Sequence, residues 1–322
     1  MKRHLCSALL LSSALLLGAC GESGKEQSTN HVVAKELKAE ALNEIEANPQ
    51  SASEKLAKTF PTEVAKQVIT TSVTIAEMLK VLDITPVGLP TSSHELPEGF
   101  EKIEKVGTAV EPDIEKIVSL TPDLVIGVDS IHTNLEKKIK NTSIPATFLP
   151  ADSLPQLKVS FEAIAHAMDK EKQADEYLKN LEKEHQDIIA SNDATDKKVM
   201  LIFGSGESFM LMNTTTYVGS LIEELGAKNI ITEATKSKES YVPMNLEDVV
   251  AINPSTILIV SHGDAETTLK QFKEEVKKNG AWNELLAFKN EQVYALDYEL
   301  FGYASLPQSS EGLATLQKML EK

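Results

Sequence analysis

From about Val64 onward the chain alternates short β-branched or apolar runs with stretches whose apolar residues recur every three or four positions. VITTS (68–72) predicts a strand, and Thr71 and Ser72 are placed to cap the helix predicted for VTIAEMLKVLDI (73–84). PVGLPT (86–91) predicts a second strand and a loop. IEKIVSLT (114–121) predicts a helix that Pro122 ends, and LVIGVD (124–129) a buried strand. IHTNLEKKIKNTS (131–143) and PATFLPA (145–151) repeat the helix–strand step. Strands and helices alternating at this spacing predict a parallel α/β sheet.

The alternation stops between residues 153 and 192. LPQLKVSFEAIAHAMDK and EKQADEYLKNLEKEHQDIIASN both predict amphipathic helices, the second about 30 Å long at 1.5 Å per residue. It then resumes. KKVMLIFGSG, ESFMLMN, STILIVSHG and QVYALD predict strands. TYVGSLIEELG (closed by Gly226), LEDVVAIN, LKQFKEEVKKNGAWNEL and a last segment from about Ser309 predict helices. The two halves contain a repeat: PDIEKIVSLTPDLVIGVDS (112–130) aligns without a gap on MNLEDVVAINPSTILIVSH (244–262), at an offset of 132. Glu115 matches Glu247, Val118 matches Val250, Pro122 matches Pro254 and Val128 matches Val260. Helix, proline break and strand therefore recur in one register. The fold class expected is α/β, two Rossmann-like lobes with mainly parallel sheets joined by one long helix. The segments expected are 64–152 for the N-terminal lobe, 153–192 for the helical link and 193–322 for the C-terminal lobe.

The first 63 residues follow a different pattern. Lys2, Arg3 and His4 precede LCSALLLSSALLLGAC, an apolar stretch too short for a comfortable membrane span. Leu17-Gly18-Ala19-Cys20 resembles the lipobox of bacterial lipoproteins. That resemblance implies a signal peptide over 1–19, lipid on Cys20 and an anchor on the outer face of the cytoplasmic membrane. Residues 20–63 are expected as a polar tether, in which VVAKELKAEALNEIEA supplies at most a solvated helix. Cys6 leaves with the signal, so the mature chain has no disulfide, cysteine nucleophile or thiolate metal site.

Charge narrows the partners. The net charge is −16, and cleavage before Cys20 would remove Lys2 and Arg3, the latter the sole arginine of the chain. So acidic a protein is not expected to bind nucleic acid. A pocket for a highly anionic ligand would have to be built from lysine, hydroxyls and helix N-termini, without the bidentate guanidinium. No Ser-His-Asp constellation, phosphate loop or carboxylate pair stands out. GSGES (204–208) lacks nucleophile-elbow spacing, and no enzyme activity is expected. A direct zinc or manganese binder would need clustered His and carboxylate ligands, and no close-spaced His pair is present.

The stretches VGLPTSSHELP, VGTAVEPDIEKI, TYVGSLIEELGAKNII, NLEDVVAINPSTILIVSHG and VYALDYELFGY resemble the substrate-binding proteins of bacterial ABC importers for haem, siderophores and cobalamin. Within that group they are most similar to the haem-binding lipoproteins of the Isd haem-uptake system. The resemblance covers the chain from about Val64. It implies a ligand cleft between the two lobes, haem as transported cargo, and delivery of that iron source to a permease by a monomeric protein. Haem-donating surface proteins fit upstream of it. A siderophore or corrinoid is the alternative cargo. By position, His262 is implied as axial iron ligand, and Glu115 and Glu247 as the carboxylates that dock on the permease. The second axial ligand of the haem proteins, often methionine, falls at Val110, which cannot ligate iron. His94, in a loop after an N-lobe strand, and His132, at nearly the repeat position of His262, are the candidates for that place. Tyr298, Phe301 and Tyr303 are expected to line an apolar slot. His4, His31, His166 and His185 are not expected to be ligands, and Met78 is expected in the core.

Overall fold

The computed structural model describes residues 23–191, 194–195, 197–205, 208–231, 237, 239–244, 246–261, 264–277 and 280–321. Two sheets form. The first contains β1 (Val68–Thr70), β2 (Gly88–Leu89), β3 (Glu104–Lys105), β4 (Leu124–Val128) and β5 (Ala146–Leu149). Their order is β3-β2-β1-β4-β5 and every pair is parallel. The second contains β6 (Lys198–Ser205), β7 (Ser208–Met212), β8 (Lys228–Asn229), β9 (Tyr241–Pro243), β10 (Thr256–Ser261) and β11 (Val293–Ala295). Its order is β11-β10-β6-β7-β9, with β8 beside the start of β6. The β6–β7 and β7–β9 pairs are antiparallel and the rest parallel.

The apolar runs of the central strands follow from burial on both faces. Along β10, Leu258 and Val260 join the main core, while Ile257 and Ile259 join a second core with Phe272 and Trp282. Along β4, Leu124 and Ile126 face the main core and Val125 the other side. Helix ends match their local chemistry. Ser72 Oγ accepts from Ile75 N (3.4 Å) at the start of helix Val73–Val81. Gly226, at φ +75°, closes helix Tyr217–Glu224 with Gly226 N donating to Glu223 O and Ala227 N to Ile222 O.

The repeat is structural as well as sequential. Helix Ile114–Ser119 leads to β4, and helix Leu246–Ile252 leads to β10, each element starting 132 residues after its counterpart. Thr121 (φ 46°) and Asn253 (φ 55°) occupy the same left-handed position before the two prolines. Ile117 and Val249 are the equivalent buried residues.

The lobes are linked by helices Leu154–Ala167 and Glu171–Ala190, with a break at Asp169 (φ 55°). Ala174, Leu181 and His185 form the buried stripe of the second. His185 is fully buried. Its Nδ1 lies 2.8 Å from Glu224 Oε1 and its Nε2 3.1 Å from Ser309 Oγ, so the ring ties the linking helix to two C-lobe helices.

One expectation differs from the fold. Much of the stretch read as a polar tether is folded. Helix Ser23–Glu44 is followed by helix Pro49–Ala57, whose N-cap Asn48 Oδ1 accepts from Ser51 N. Ala41, Ile45, Ala52, Leu56 and Phe60 are buried in the same core as Leu154, Leu157 and Phe161. Apolar content is thin here, but small residues at helical spacing let two helices approach the link closely, and a narrow stripe suffices.

Candidate functional site

In parallel α/β sheets the carboxyl ends of the strands open toward the ligand. Here the loop that follows β2 and the segment that follows β11 meet. His94, from the first, lies with its ring centroid 4.6 Å from that of Tyr298 and 4.4 Å from that of Tyr303. Its Nδ1 is 3.4 Å from Glu299 Oε2, and its side chain is largely buried. Asp297 positions the partner side: its carboxylate accepts from Leu300 N (3.2 Å) and starts the short helix Tyr298–Phe301. Gly302 is required directly after it. A Cβ there would stand 2.3 Å from the Tyr298 ring.

A polar seam joins the lobes beside this cluster. Thr74 Oγ1 donates to Ala304 O (2.7 Å), and Tyr303 Oη donates to Glu77 Oε1 (2.8 Å). Gln308 Nε2 donates to Tyr303 Oη (2.9 Å), and Tyr217 Oη to Ser305 O (2.8 Å). Glu77 sits on helix Val73–Val81 at 9% exposure, and its Oε2 has no hydrogen-bond partner among the described residues. Burial pushes its carboxyl up to about 7, against the hydrogen bonds from Ser305, Tyr303 and Gln308. Burial, and then the charge of Glu77, raises the Tyr303 phenol above its usual range. Sequence reading passed over Glu77. The available signal was a lone carboxylate in the apolar run VTIAEMLKVL.

The other candidates lie as follows. His262 is outside the described residues, as are Gly263 and Cys20; β10 is described through Ser261, whose Oγ is 2.7 Å from Thr268 Oγ1. Phe301 is buried in the main core, whereas Tyr298 and Tyr303 are half-buried. His132 is engaged within its own lobe. Its Nδ1 contacts the Asp129 carbonyl and lies 3.2 Å from Asp129 Oδ1; its Nε2 is 3.4 Å from Glu136 Oε2, and the ring packs on Phe148. The contact that joins the lobes is therefore made by His94. Val110 is 57% exposed in the loop that Gly107 (φ +89°) turns, and its carbonyl accepts from Asn134 Nδ2. Glu115 and Glu247 are both exposed in the first turns of the repeated helices. Met78 is fully buried, and Met244 packs against the second C-lobe core.

The profile of the family described as "Periplasmic binding protein" matches residues 68–300. The chain belongs to that family. It is 28% identical over 258 residues to the high-affinity heme uptake system protein IsdE of Staphylococcus aureus (strain MRSA252), covering 80% of this chain and 87% of that protein. The solved structure of S. aureus IsdE complexed with heme superposes with a TM-score of 0.71 at 27% identity, over 80% of this chain and 99% of that one. An ABC transporter substrate-binding protein from Listeria monocytogenes EGD-e gives 0.72 at 29%, over 80% and 98%. FeuA from Bacillus subtilis, solved with ferri-bacillibactin, shares the fold with a TM-score of 0.63 at 24% identity, over 81% and 93%.

The chain is thus a non-enzymatic substrate-binding protein with the two-lobed α/β fold of that family. No helix among the described residues is long and apolar enough to cross a membrane.

Proposed function

We propose that the protein captures haem between its lobes and hands it to its permease while anchored through lipid on Cys20. The observation that carries this reading is the contact of His94, from one lobe, with Tyr298 and Tyr303 of the other. Those rings supply flat apolar walls, an imidazole and two phenols at one place, and imidazole and phenolate are both axial ligands of haem iron. The 28% identity to IsdE supports haem over other cargo. His262 remains the proposed ligand from the C-lobe side, with His94 rather than His132 opposite it. The carboxylates of Glu115 and Glu247 are the proposed docking points on the permease.

Titration of the purified protein with haem tests this. A Soret band at one equivalent is expected, weakened or shifted in both His262→Ala and His94→Ala and unchanged in His132→Ala. A wild-type spectrum in the first two variants would remove the assignment. Absence of a haem spectrum together with tight uptake of an iron chelate or corrinoid would replace the cargo and keep the fold.

A further inference from the structure

The solved IsdE and Listeria relatives are covered over 99% and 98% of their length by 80% of this chain. A fifth of this chain lies outside those alignments, and the family match begins only at residue 68. The two helices Ser23–Glu44 and Pro49–Ala57 precede that match and pack on the lobes. Four polar contacts add to the buried stripe. Lys38 Nζ lies 2.5 Å from Asp129 Oδ1, at the carboxyl end of β4. Lys55 Nζ lies 2.6 Å from Glu44 Oε1, and Ser51 Oγ donates to Glu44 Oε2 (2.6 Å), which locks the two helices together. Thr147 Oγ1, on β5, donates to Thr59 O (3.2 Å). The segment thus touches the N lobe at two strands and the linking helix along its apolar face.

We propose that residues 34–60 form a docked arm that shortens the membrane tether and holds the binding lobes at a set height and orientation over the lipid surface. The proposal rests on the reading of Cys20 as the lipid anchor. Its partner is the bilayer itself. The length of free chain decides the consequence. If the whole stretch before β1 were loose, about 45 residues would separate the anchor from the body, a contour of roughly 150 Å. Ala34 is the first residue of the helix whose burial is described and is half-buried, as are Leu37 and Lys38, while Ala41, and Ile45 just after the helix, are buried. About 14 residues then remain between anchor and body. They span at most about 50 Å extended, and about 20 Å wherever they are helical. A body so close to the surface searches a smaller volume for a membrane-embedded partner, which raises its effective concentration there.

The test uses the full-length lipidated protein in liposomes. A donor dye on Lys137→Cys, an exposed N-lobe position, is read against an acceptor in the lipid headgroups. The double variant Ala52→Glu/Leu56→Glu should undock the arm. The mean donor–membrane distance should then rise about twofold with a broader distribution. Trypsin cleavage at Lys55 and Lys58 should be at least tenfold faster, with ligand affinity within about twofold of wild type. An unchanged distance despite fast cleavage would overturn the proposal. Hydrogen exchange on the wild-type protein guards against a variant that does not fold. Slow exchange over residues 41–56 is expected, and exchange at unstructured-chain rates there would equally overturn it. Cys20→Ala separates the two readings: retention of that variant on vesicles defeats the anchor assignment, whereas the arm is judged on protein shown to be lipidated.

Discussion

Glu77 is the residue whose chemistry departs most from its surroundings. Its carboxyl is raised from 4.5 to about 7 because burial penalises the charged form. A group whose folded pKa lies above its unfolded value contributes stability that is present below the unfolded pKa and lost as pH rises to the folded one. Wild-type protein should therefore lose stability relative to Glu77→Gln between about pH 4.5 and 7, with no further divergence above. The ceiling is about 3 kcal/mol from a shift of this size. Urea unfolding of both proteins across that window is the measurement, and parallel curves would show that the carboxylate is ionised at no cost. A second expectation concerns Gly302. Because a methyl there collides with the Tyr298 ring and would stand 2.4 Å from the Tyr298 carbonyl oxygen, Gly302→Ala should displace the short helix as well as the ring, lower the melting temperature and weaken ligand binding by about tenfold. His185 supplies the contrast. Both its ring nitrogens are occupied by Glu224 and Ser309, so His185→Ala should cost about 1–3 kcal/mol of stability, read by denaturant midpoint, and leave ligand affinity unaltered.

At the scale of elements, the repeated helix–proline–strand unit gives two positions with one backbone geometry and different side chains. Thr121 is β-branched and sits at φ 46°, a conformation that costs such a residue about 1–2 kcal/mol. Asn253 tolerates the same region, and its Oδ1 accepts from Leu286 N at 2.8 Å. Thr121→Gly should therefore stabilise the protein by about 0.5–1 kcal/mol, whereas Asn253→Gly should destabilise it through the lost hydrogen bond. Thermal unfolding of the pair checks the sign in each case. Most of these elements were legible in the periodicity, since long apolar runs and spaced stripes mark central strands and half-buried helices. The two-residue strands β3 and β8 were not, because pairs such as Glu104-Lys105 carry no alternation long enough to register. The N-terminal helices were read as tether because their buried residues are few and widely spaced, with Ala41 and Ala52 among Ile45, Leu56 and Phe60, and so sparse a stripe shows only when a partner surface is known.

For the whole molecule, the lobes share one apolar core, to which β4 gives Leu124 and Ile126 and β10 gives Leu258 and Val260, and polar contacts around Thr74, Glu77 and Tyr303 add to it. Removing two of the polar contacts in Thr74→Val/Tyr303→Phe should therefore weaken the seam without parting the lobes. The denaturant midpoint should fall while the radius of gyration from small-angle scattering stays unchanged. Trp282 packs against Phe272 and Phe288 in the second C-lobe core. Its fluorescence should accordingly follow unfolding of that lobe more than cargo binding.

The amino-acid pattern alone determined the α/β class, the two lobes, the helical link and the repeat, because periodicity and proline punctuation are local properties of the chain. It also pointed to His94, Tyr298 and Tyr303 as separate candidates, by resemblance and by loop position. That these three meet, that His132 turns inward to Asp129 and Glu136, that Glu77 is buried under Tyr303, and that the N-terminal helices dock on the link were decided by tertiary structure. Apart from the His132 contacts, which stay within four residues, each depends on contacts between segments far apart in the chain, up to 226 residues for Glu77 and Tyr303, and no local pattern encodes such a distance.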